Sequence, residues 1–301
     1  MMKIYSIRLI CLIGALLFFQ WPVLAEKQAK IAIGAYFRNE GPYLKEWIEY
    51  HRLIGVDHFY LWNNLSSDEY LDVLQPYIDL GIVELFDVPV ESQNFNMHLS
   101  LQSDAMVKTC RLAEGHYKWL ALIDLDEFIV PIISDRLEAI LEEYEAFAGV
   151  WANWVCFGTS SIPRVPSNKL IIEMLTKRAP LNHKHNLYYK WILKPESMKD
   201  MVNIHIPVFY TGFIGVSPEK EPVKEIIAPY PCIDKLRINH YWARDEEYFY
   251  RVKAPRRADW VGGKESEFIK LNEEFNAEDD EAILRFVAPL REAVFEAALQ
   301  P

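Results

Sequence analysis

The stretch Trp119-Leu-Ala-Leu-Ile-Asp-Leu-Asp-Glu-Phe128 decides the fold, because an apolar run passes directly into a pair of acidic residues. The run at 119–123 predicts a strand that is buried on both faces, as in a parallel sheet. Asp124 and Asp126 then fall at the carboxyl end of this strand. Ligands of open α/β sheets bind at that edge, so the stretch predicts both a sheet and a site.

Strand-like and helix-like segments alternate before this stretch. Short apolar runs predict strands, and apolar residues at helical spacing predict helices, two of which end at Gly55 and Gly81. The alternation gives a βαβαβ pattern, which favours parallel pairing with right-handed crossovers. The predicted strands are 30–37, 58–62 and 82–86, and the predicted helices are 43–54, 69–80 and 98–114.

The second half of the chain has a less regular pattern. A helix is predicted at 137–147 and a strand at 150–157. Short segments at 188–193, 208–213 and 236–241 are expected to form strands or loops of an acceptor-side lobe that lies across the sheet. We expect a catalytic domain at 26–260 and an acidic, helical C-terminal extension at 261–301.

Composition favours one compact globular unit. Of the 301 residues, 51% are hydrophobic and 14% are aromatic, which is enough to build a large core. The formal net charge of −11 repels phosphate backbones, so no nucleic-acid partner is expected. A local basic pocket for a diphosphate remains compatible with that charge.

Residues 1–25 have the layout of a secretory signal. Lys3 and Arg8 precede an apolar stretch at 9–24, and the small residue Ala25 offers a cleavage site. We expect cleavage after Ala25 and export or entry into the secretory pathway. The alternative is an uncleaved signal anchor, which would associate the protein with a membrane.

The two strand-end aspartates predict a divalent-cation site. Asp124 and Asp126 supply hard oxygen ligands, which suit Mn²⁺ or Mg²⁺. Such an ion would neutralise the charge that grows on a departing nucleoside diphosphate. The alternative is a strand cap with solvated acids. The metal interpretation requires that both carboxylates face a cavity and are not held by lysine or arginine.

Polar residues also follow the first two strands. Asn39 and Glu40 follow the first strand, and Asn64 and Asp68 follow the second. These side chains could bind the base and ribose of a donor. The alternative is ordinary turn chemistry, because Asn and Asp favour turns and helix caps.

Among the histidines, His240 is the strongest candidate. It follows a strand-like run and precedes aromatic residues, and a neutral imidazole there could complete the metal shell. The alternative is a structural histidine. His183 and His185 could also bind metal, although a polar loop is the favoured interpretation.

Three consecutive acids provide candidates for a general base. An inverting transfer needs a carboxylate that takes the proton from the acceptor hydroxyl, and Asp245, Glu246 and Glu247 could supply it. The alternative is that the pair Glu246 and Glu247 begins a helix, where acids favour the dipole.

Several of these motifs, taken in order, resemble glycosyltransferase family 92 and its bacterial relatives in the wider family 2 group. Their linked order is more specific than any one of them. The motifs are Arg38-Asn39-Glu40, Glu46-Trp-Ile-Glu-Tyr-His51, Gly55-Val-Asp-His-Phe-Tyr60, Asn64-x-Ser-x-Asp68, Trp119 to Ile129 and Asn239-His-Tyr241.

The resemblance implies a GT-A fold, a divalent metal held by Asp124 and Asp126, a UDP-sugar donor and a glycan acceptor. It also implies an inverting transfer, for which galactose is the best-known sugar. Lys190 and Lys194 match the second-half pattern of the family and are expected to bind the donor. The chain departs from that pattern at Arg244-Asp245, where Lys-Ser is usual.

Two other functions are compatible with the acidic motif. A haloacid-dehalogenase-type phosphohydrolase also carries Asp-x-Asp after a buried strand, but it needs a small hydroxyl residue where this chain has Phe128. A non-catalytic glycan-binding protein is the other alternative, and loss of UDP binding would support it.

Overall fold

The computed structural model describes residues 30–222, 227–254 and 265–297. They form a mixed, mainly parallel sheet flanked by helices, which confirms the predicted α/β class. The strands are β1 Ile31–Phe37, β2 His58–Asn63, β3 Val83–Asp87, β4 Trp119–Leu122, β5 Glu127–Pro131, β6 Gly149–Cys156, β7 Lys177–Arg178, β8 Tyr189–Leu193, β9 Met198–Asn203, β10 Ile206–Phe209, β11 Gly215–Val216, β12 Leu236–His240 and β13 Glu278–Asp279.

Helices cover both faces of the sheet and fill the connections. The α-helices are α1 Gly41–Leu53, α2 Tyr70–Asp79, α3 Phe95–Ala113, α4 Leu137–Leu141, α5 Ile171–Met174, α6 Glu246–Tyr248, α7 Glu265–Phe275 and α8 Val287–Arg291. Phe249–Lys253 and Glu292–Glu296 continue α6 and α8 as π-helical turns. Short 3₁₀ turns lie at Glu142–Tyr144, Lys184–Leu187, Pro195–Ser197 and Leu284–Phe286.

The order of the main sheet is β3-β2-β1-β4-β8-β6-β12-β5, and β11 pairs with the start of β6. The first four strands in this order are mutually parallel, as the βαβαβ pattern predicted. Every residue of β1 and β2 is buried, because helices cover both faces of these strands. The N-terminal half of the chain therefore follows its sequence pattern closely.

The prediction of a lobe across the sheet is wrong for two of its three segments, those at 188–193 and 236–241. β8 lies inside the main sheet, antiparallel to both β4 and β6, and β12 lies between β6 and β5. Both strands are fully buried, so their apolar residues cover two faces of the sheet. Only β10 belongs to a separate hairpin, which it forms with β9.

The C-terminal part packs against the main body. Phe275, Ile283, Phe286 and Leu290 are all buried, and the last three belong to the core around the sheet. The predicted domain boundaries at 25 and 260, and the predicted signal at 1–25, lie outside the described residues. No helix within the described ranges is long and apolar enough to span a bilayer.

Candidate active site

The acidic turn lies at the edge of the sheet where the parallel strands end. β4 ends at Leu122, the chain turns through Asp124 and Asp126, and β5 leaves antiparallel to β12. In this register Glu127 lies directly opposite His240. The fold thus brings together residues that are more than one hundred positions apart in the chain.

Main-chain hydrogen bonds hold the turn in place. The amide of Asp124 donates to Glu127 Oε2 at 3.0 Å, and the amide of Tyr241 donates to the Asp126 carbonyl at 2.8 Å. On the other side, Trp47 of α1 donates its indole N–H to the Glu127 carbonyl at 2.8 Å. The carboxylates therefore project from a backbone that is fixed by three separate elements.

Asp126, Glu127 and His240 form a cluster that could hold a metal ion. One potential ligand atom from each residue lies within 4.8 Å of the others, and all three side chains are buried. Glu127 Oε1 and His240 Nδ1 have no hydrogen-bond partner within the described part of the chain. Two carboxylates and an imidazole suit a small divalent cation such as Mn²⁺.

Burial favours the neutral form of two members of this cluster. It raises the pKa of Glu127 well above its ordinary value, an effect that Lys190 opposes. Burial also lowers the pKa of His240, although Asp126 acts in the opposite direction. A neutral imidazole retains a lone pair that it can donate to a metal. Sequence reasoning identified His240 but missed Glu127, since only the β5–β12 register places Glu127 beside it.

Asp124 lies beside this cluster and is held by two other side chains. Lys190 Nζ lies 2.9 Å from Asp124 Oδ2, and Gln102 donates to Asp124 Oδ1 at 2.5 Å. Lys190 also lies 3.7 Å from Glu127 Oε1. Burial disfavours its charge, but Asp124 and Glu127 together raise the pKa of Lys190. Lys190 thus neutralises part of the negative charge of the acidic turn. Donor binding by Lys190 stays a prediction.

Asp126 is ion-paired as well. Lys253 Nζ lies 2.6 Å from Asp126 Oδ2, and His240 Nε2 lies 3.5 Å from Asp126 Oδ1. Burial opposes ionisation, but Lys253 and His240 hold the pKa of Asp126 well below its ordinary value. Both aspartates are paired with lysine, so the requirement stated for a metal held by the Asp124–Asp126 pair is not met, and that expectation is wrong. A metal interpretation now depends on the cluster that Asp126 forms with Glu127 and His240. Buried carboxylates that lie so close together require counter-charges.

Glu40 reaches the same region through Arg244. The Arg244 guanidinium donates to Glu40 Oε2 at 2.9 Å and to the Leu125 carbonyl at 2.8 Å. Tyr248 donates its hydroxyl to Glu40 Oε1 at 3.3 Å. Burial raises the pKa of Glu40, while Arg244 lowers it. Arg244, at the position where the chain departs from the family pattern, thus joins two loops of the site.

The remaining polar residues after β1 and β2 hold the loops to one another. Asn39 Oδ1 accepts the Ser67 amide at 2.8 Å, and Asp68 Oδ2 accepts the Gly41 amide at 2.7 Å. Asn64 donates to the carbonyls of two residues in the loop after β3. These contacts are the turn chemistry given above as the alternative. Donor binding by Asn39, Asn64 and Asp68 stays a prediction.

Lys194 is not brought to the acidic turn. Its Nζ donates to the Glu145 carbonyl at 2.5 Å and lies 5.5 Å from the centroid of the Trp119 ring. Trp119 begins β4, whereas the acidic turn follows the end of that strand. The structure therefore places Lys194 at the opposite edge of the sheet. His183 is also held elsewhere, 3.1 Å from Glu274, and His185 lies beside it.

The three candidate bases differ in their contacts. Asp245 caps α6, since its carboxylate accepts the amides of Tyr248 and Val165 at 2.9 and 2.8 Å. Glu247 forms ion pairs with two exposed arginines. The side chain of Glu246 forms no hydrogen bond or ion pair with any residue that the structure describes. α6 begins with Glu246 and Glu247, so the helix-start alternative is confirmed for this pair.

The fold is that of an α/β protein, and its candidate site is an acidic cluster at the strand ends. Residues 34–231 match the sequence model of glycosyltransferase family 92, which is more than half of the chain. The chain belongs to glycosyltransferase family 92. This membership agrees with the motif resemblance and does not support the phosphohydrolase alternative.

Several proteins similar to this chain come from plants. A glycosyltransferase family 92 protein of Ricinus communis is 28% identical over 255 residues, covering 80% of this chain and 42% of the relative. Galactan β-1,4-galactosyltransferase GALS2 of Arabidopsis thaliana is 31% identical over 110 residues, covering 35% and 21%. The chain spans less than half the length of these relatives.

Among solved structures, Staphylococcus aureus TarS 1–349 is similar over 89% of this chain and 75% of its own, with 13% identity and a TM-score of 0.37. Glucosyl-3-phosphoglycerate synthase of Mycobacterium tuberculosis, solved with Mn²⁺ and UDP, is similar over 56% and 58%, with 11% identity and a TM-score of 0.31.

Proposed function

We propose that this chain is a metal-dependent glycosyltransferase that transfers a hexose, galactose first among them, from a UDP-sugar to a glycan acceptor with inversion. The observation that carries the proposal is the cluster of Asp126, Glu127 and His240, with ligand atoms within 4.8 Å of one another. The cluster lies at the carboxyl edge of a mainly parallel sheet, where ligands of such sheets bind.

The residues around the cluster fit a divalent cation. Asp126, Glu127 and His240 would hold Mn²⁺ or Mg²⁺, which when bound neutralises charge on a departing diphosphate. Lys190 and Gln102 fix the orientation of Asp124, which stays a predicted ligand at the rim of the same site. Glu127, His240 and Lys190 belong to strands of the sheet and Gln102 belongs to α3, so most of the site is built on rigid parts of the fold.

Family membership supports the reaction class, and the relatives support the sugar. Two of the curated relatives are named galactan β-1,4-galactosyltransferases, GALS2 and GALS3 of Arabidopsis thaliana. UDP as the nucleotide and a glycan as the acceptor follow from the family resemblance. The sequence of residues 1–25 supports function in the secretory pathway or after export.

The general base of the proposed transfer is Glu246. A base needs a carboxylate that is free to accept a proton, and a carboxylate held by two amides or by guanidinium groups is a poor acceptor. Asp245 and Glu247 are held in these ways. Glu246→Gln is therefore expected to lower kcat more than Glu247→Gln does.

The test is the release of UDP from a panel of UDP-sugars, measured with Mn²⁺ and with EDTA. We expect turnover that requires Mn²⁺ and that Asp126→Asn abolishes. Asp135→Asn is the control, because Asp135 is an exposed aspartate whose carboxylate pairs with Arg285 away from the site. Turnover that persists in EDTA would refute metal dependence. Acceptor-glycan binding with no UDP affinity would instead support the glycan-binding alternative.

A further inference from the structure

The site contains an unusual concentration of buried charge. Within the described ranges, three basic side chains contact its acidic side chains, so each acid has a basic group nearby. The acids are Glu40, Asp124, Asp126 and Glu127, and the bases are Lys190, Arg244 and Lys253. A divalent cation that enters this cluster adds two positive charges beside these basic side chains, which repel it. It must therefore compete with one of them for a carboxylate.

The three basic side chains differ in how firmly they are held. The side chain of Lys190 is 2% exposed and projects from a central strand, and that of Arg244 is 1% exposed. Arg244 also bonds the Leu125 carbonyl and stacks on Tyr43, with 4.3 Å from its guanidinium carbon to the ring centroid. Neither charge can leave without losing several contacts at once.

Lys253 is the one that can leave. It is the last residue of the π-helical turn after α6, and its side chain is 15% exposed. Its Nζ contacts Asp126 Oδ2 at 2.6 Å and lies 5.9 Å from the centroid of the Trp242 ring. A rotation of this long side chain would release Asp126 and would give up, besides this ion pair, the contact with the Trp242 ring.

We propose that Lys253 is an exchangeable counter-ion, which neutralises Asp126 and must be displaced before a divalent cation binds there. This inference rests on the proposed metal centre. Mg²⁺ binds carboxylate oxygen at about 2.0 to 2.1 Å, so such an ion and an ammonium group cannot share Asp126 Oδ2. Lys253 thus lowers the affinity of the free protein for the metal.

The displaced ammonium group determines how metal and donor binding are linked. It remains tethered beside the cation, where the diphosphate of a donor would carry its negative charge. A nucleoside diphosphate therefore offers Lys253 a second partner and favours its release from Asp126. Binding of Mn²⁺ and of UDP should each strengthen the other, because coupling between two sites is reciprocal.

The test is a titration of the full chain with Mn²⁺, in which free Mn²⁺ is measured by electron paramagnetic resonance with and without UDP. Without UDP, Lys253→Met is expected to bind Mn²⁺ about tenfold more tightly than the natural chain. UDP should then increase the Mn²⁺ affinity of the variant less than that of the natural chain. Lys253→Gln, which keeps a polar side chain, should give the same two results.

Arg251→Met provides the matched control. Arg251 belongs to the same π-helical turn, but it is exposed and pairs with Glu247, so its replacement should leave Mn²⁺ affinity unchanged. Asp126→Asn reports on the metal centre itself and should abolish binding. Equal or weaker Mn²⁺ binding by both Lys253 variants would overturn the inference alone. Absence of Mn²⁺ binding by every protein would overturn the metal centre and the inference with it.

Discussion

Arg244 donates a hydrogen bond of 2.9 Å to Glu40, although the two residues are 204 positions apart in the chain. The same guanidinium nitrogen donates to the Leu125 carbonyl, in the middle of the acidic turn. One buried side chain thus joins the loop after β1, the turn after β4 and the segment after β12. This contact holds the carbonyl of the residue that precedes Asp126.

Arg244→Met is expected to destabilise the fold and to weaken metal binding. It leaves the half-buried carboxylate of Glu40 without its cation, and loss of one partner of an ion pair costs about 3 to 5 kcal/mol when the pair is fully buried. It also removes the hydrogen bond to the Leu125 carbonyl beside Asp126. Urea unfolding measures the first effect, and Mn²⁺ titration measures the second.

Arg237→Met is the matched control for Arg244. Arg237 lies in β12, is equally buried and pairs with Asp280 rather than with the acidic turn. Its replacement should cost less stability, because Asp280 keeps Arg178 as a second partner at 2.9 Å, and it should leave Mn²⁺ affinity close to that of the natural chain. Equal Mn²⁺ affinity in the two variants would show that Arg244 has only a structural role.

Lys190→Met should lower the free energy of unfolding much more than Lys194→Met does. Lys190 is the buried partner of Asp124 and Glu127, so its loss should cost about 3 to 5 kcal/mol of unfolding free energy. Lys194 makes one carbonyl contact and a cation–π contact near Trp119, worth about 0.5 to 1 kcal/mol at an exposed site. Lys194→Met should also leave UDP affinity unchanged, and a large loss of affinity would contradict its position at the opposite edge.

The parallel half of the sheet could be predicted because its signals are local. β1 and β4 are continuous apolar runs, and α1 shows helical spacing that ends before Gly55, which has a φ of +106°. A position after a helix at which φ is positive favours glycine. These patterns fixed strand and helix positions to within a few residues.

The second half could not be predicted in the same way, because its structure depends on distant pairing. β5 starts directly after the acidic turn with no glycine or proline to mark it, and its partner β12 lies more than one hundred residues further along the chain. The contacts of Lys253 and Arg244 with the acidic turn could not be predicted for the same reason, because more than one hundred residues separate them from it along the chain. No local pattern identifies a lysine as the partner of a carboxylate 127 positions away.

Asn39 gives a test of backbone strain at the predicted donor loop. Its φ is +56°, in the left-handed region, and its side chain accepts the Ser67 amide at 2.8 Å. Asn39→Ala loses both the tolerated conformation and the hydrogen bond, at a cost of about 2 to 3 kcal/mol. Asn39→Gly loses only the hydrogen bond and should cost about 1 kcal/mol. Thermal unfolding distinguishes the two, and equal losses would contradict the role of the backbone.

His51 is buried in α1 with both ring nitrogens engaged. Its Nδ1 lies 2.8 Å from the Trp47 carbonyl, and its Nε2 accepts the amide of Ile129 at 3.2 Å. The Ile129 amide can donate only to an unprotonated nitrogen, so this geometry requires the neutral ring with its proton on Nδ1. Burial accordingly lowers the pKa of His51 to about 3.

This depressed pKa predicts a loss of stability in acid. Between about pH 6.5 and pH 3 the unfolded chain binds a proton at His51 that the folded chain does not, so the unfolding free energy falls as pH falls, by up to about 5 kcal/mol across the window. The side chain of His51→Gln cannot titrate. Within this window the slope of its unfolding free energy against pH should therefore correspond to about one proton fewer than the slope of the natural chain. His116→Gln, at an exposed position, controls for loss of a histidine elsewhere. Identical pH slopes for His51→Gln and the natural chain would show that the buried ring accepts a proton in the folded state.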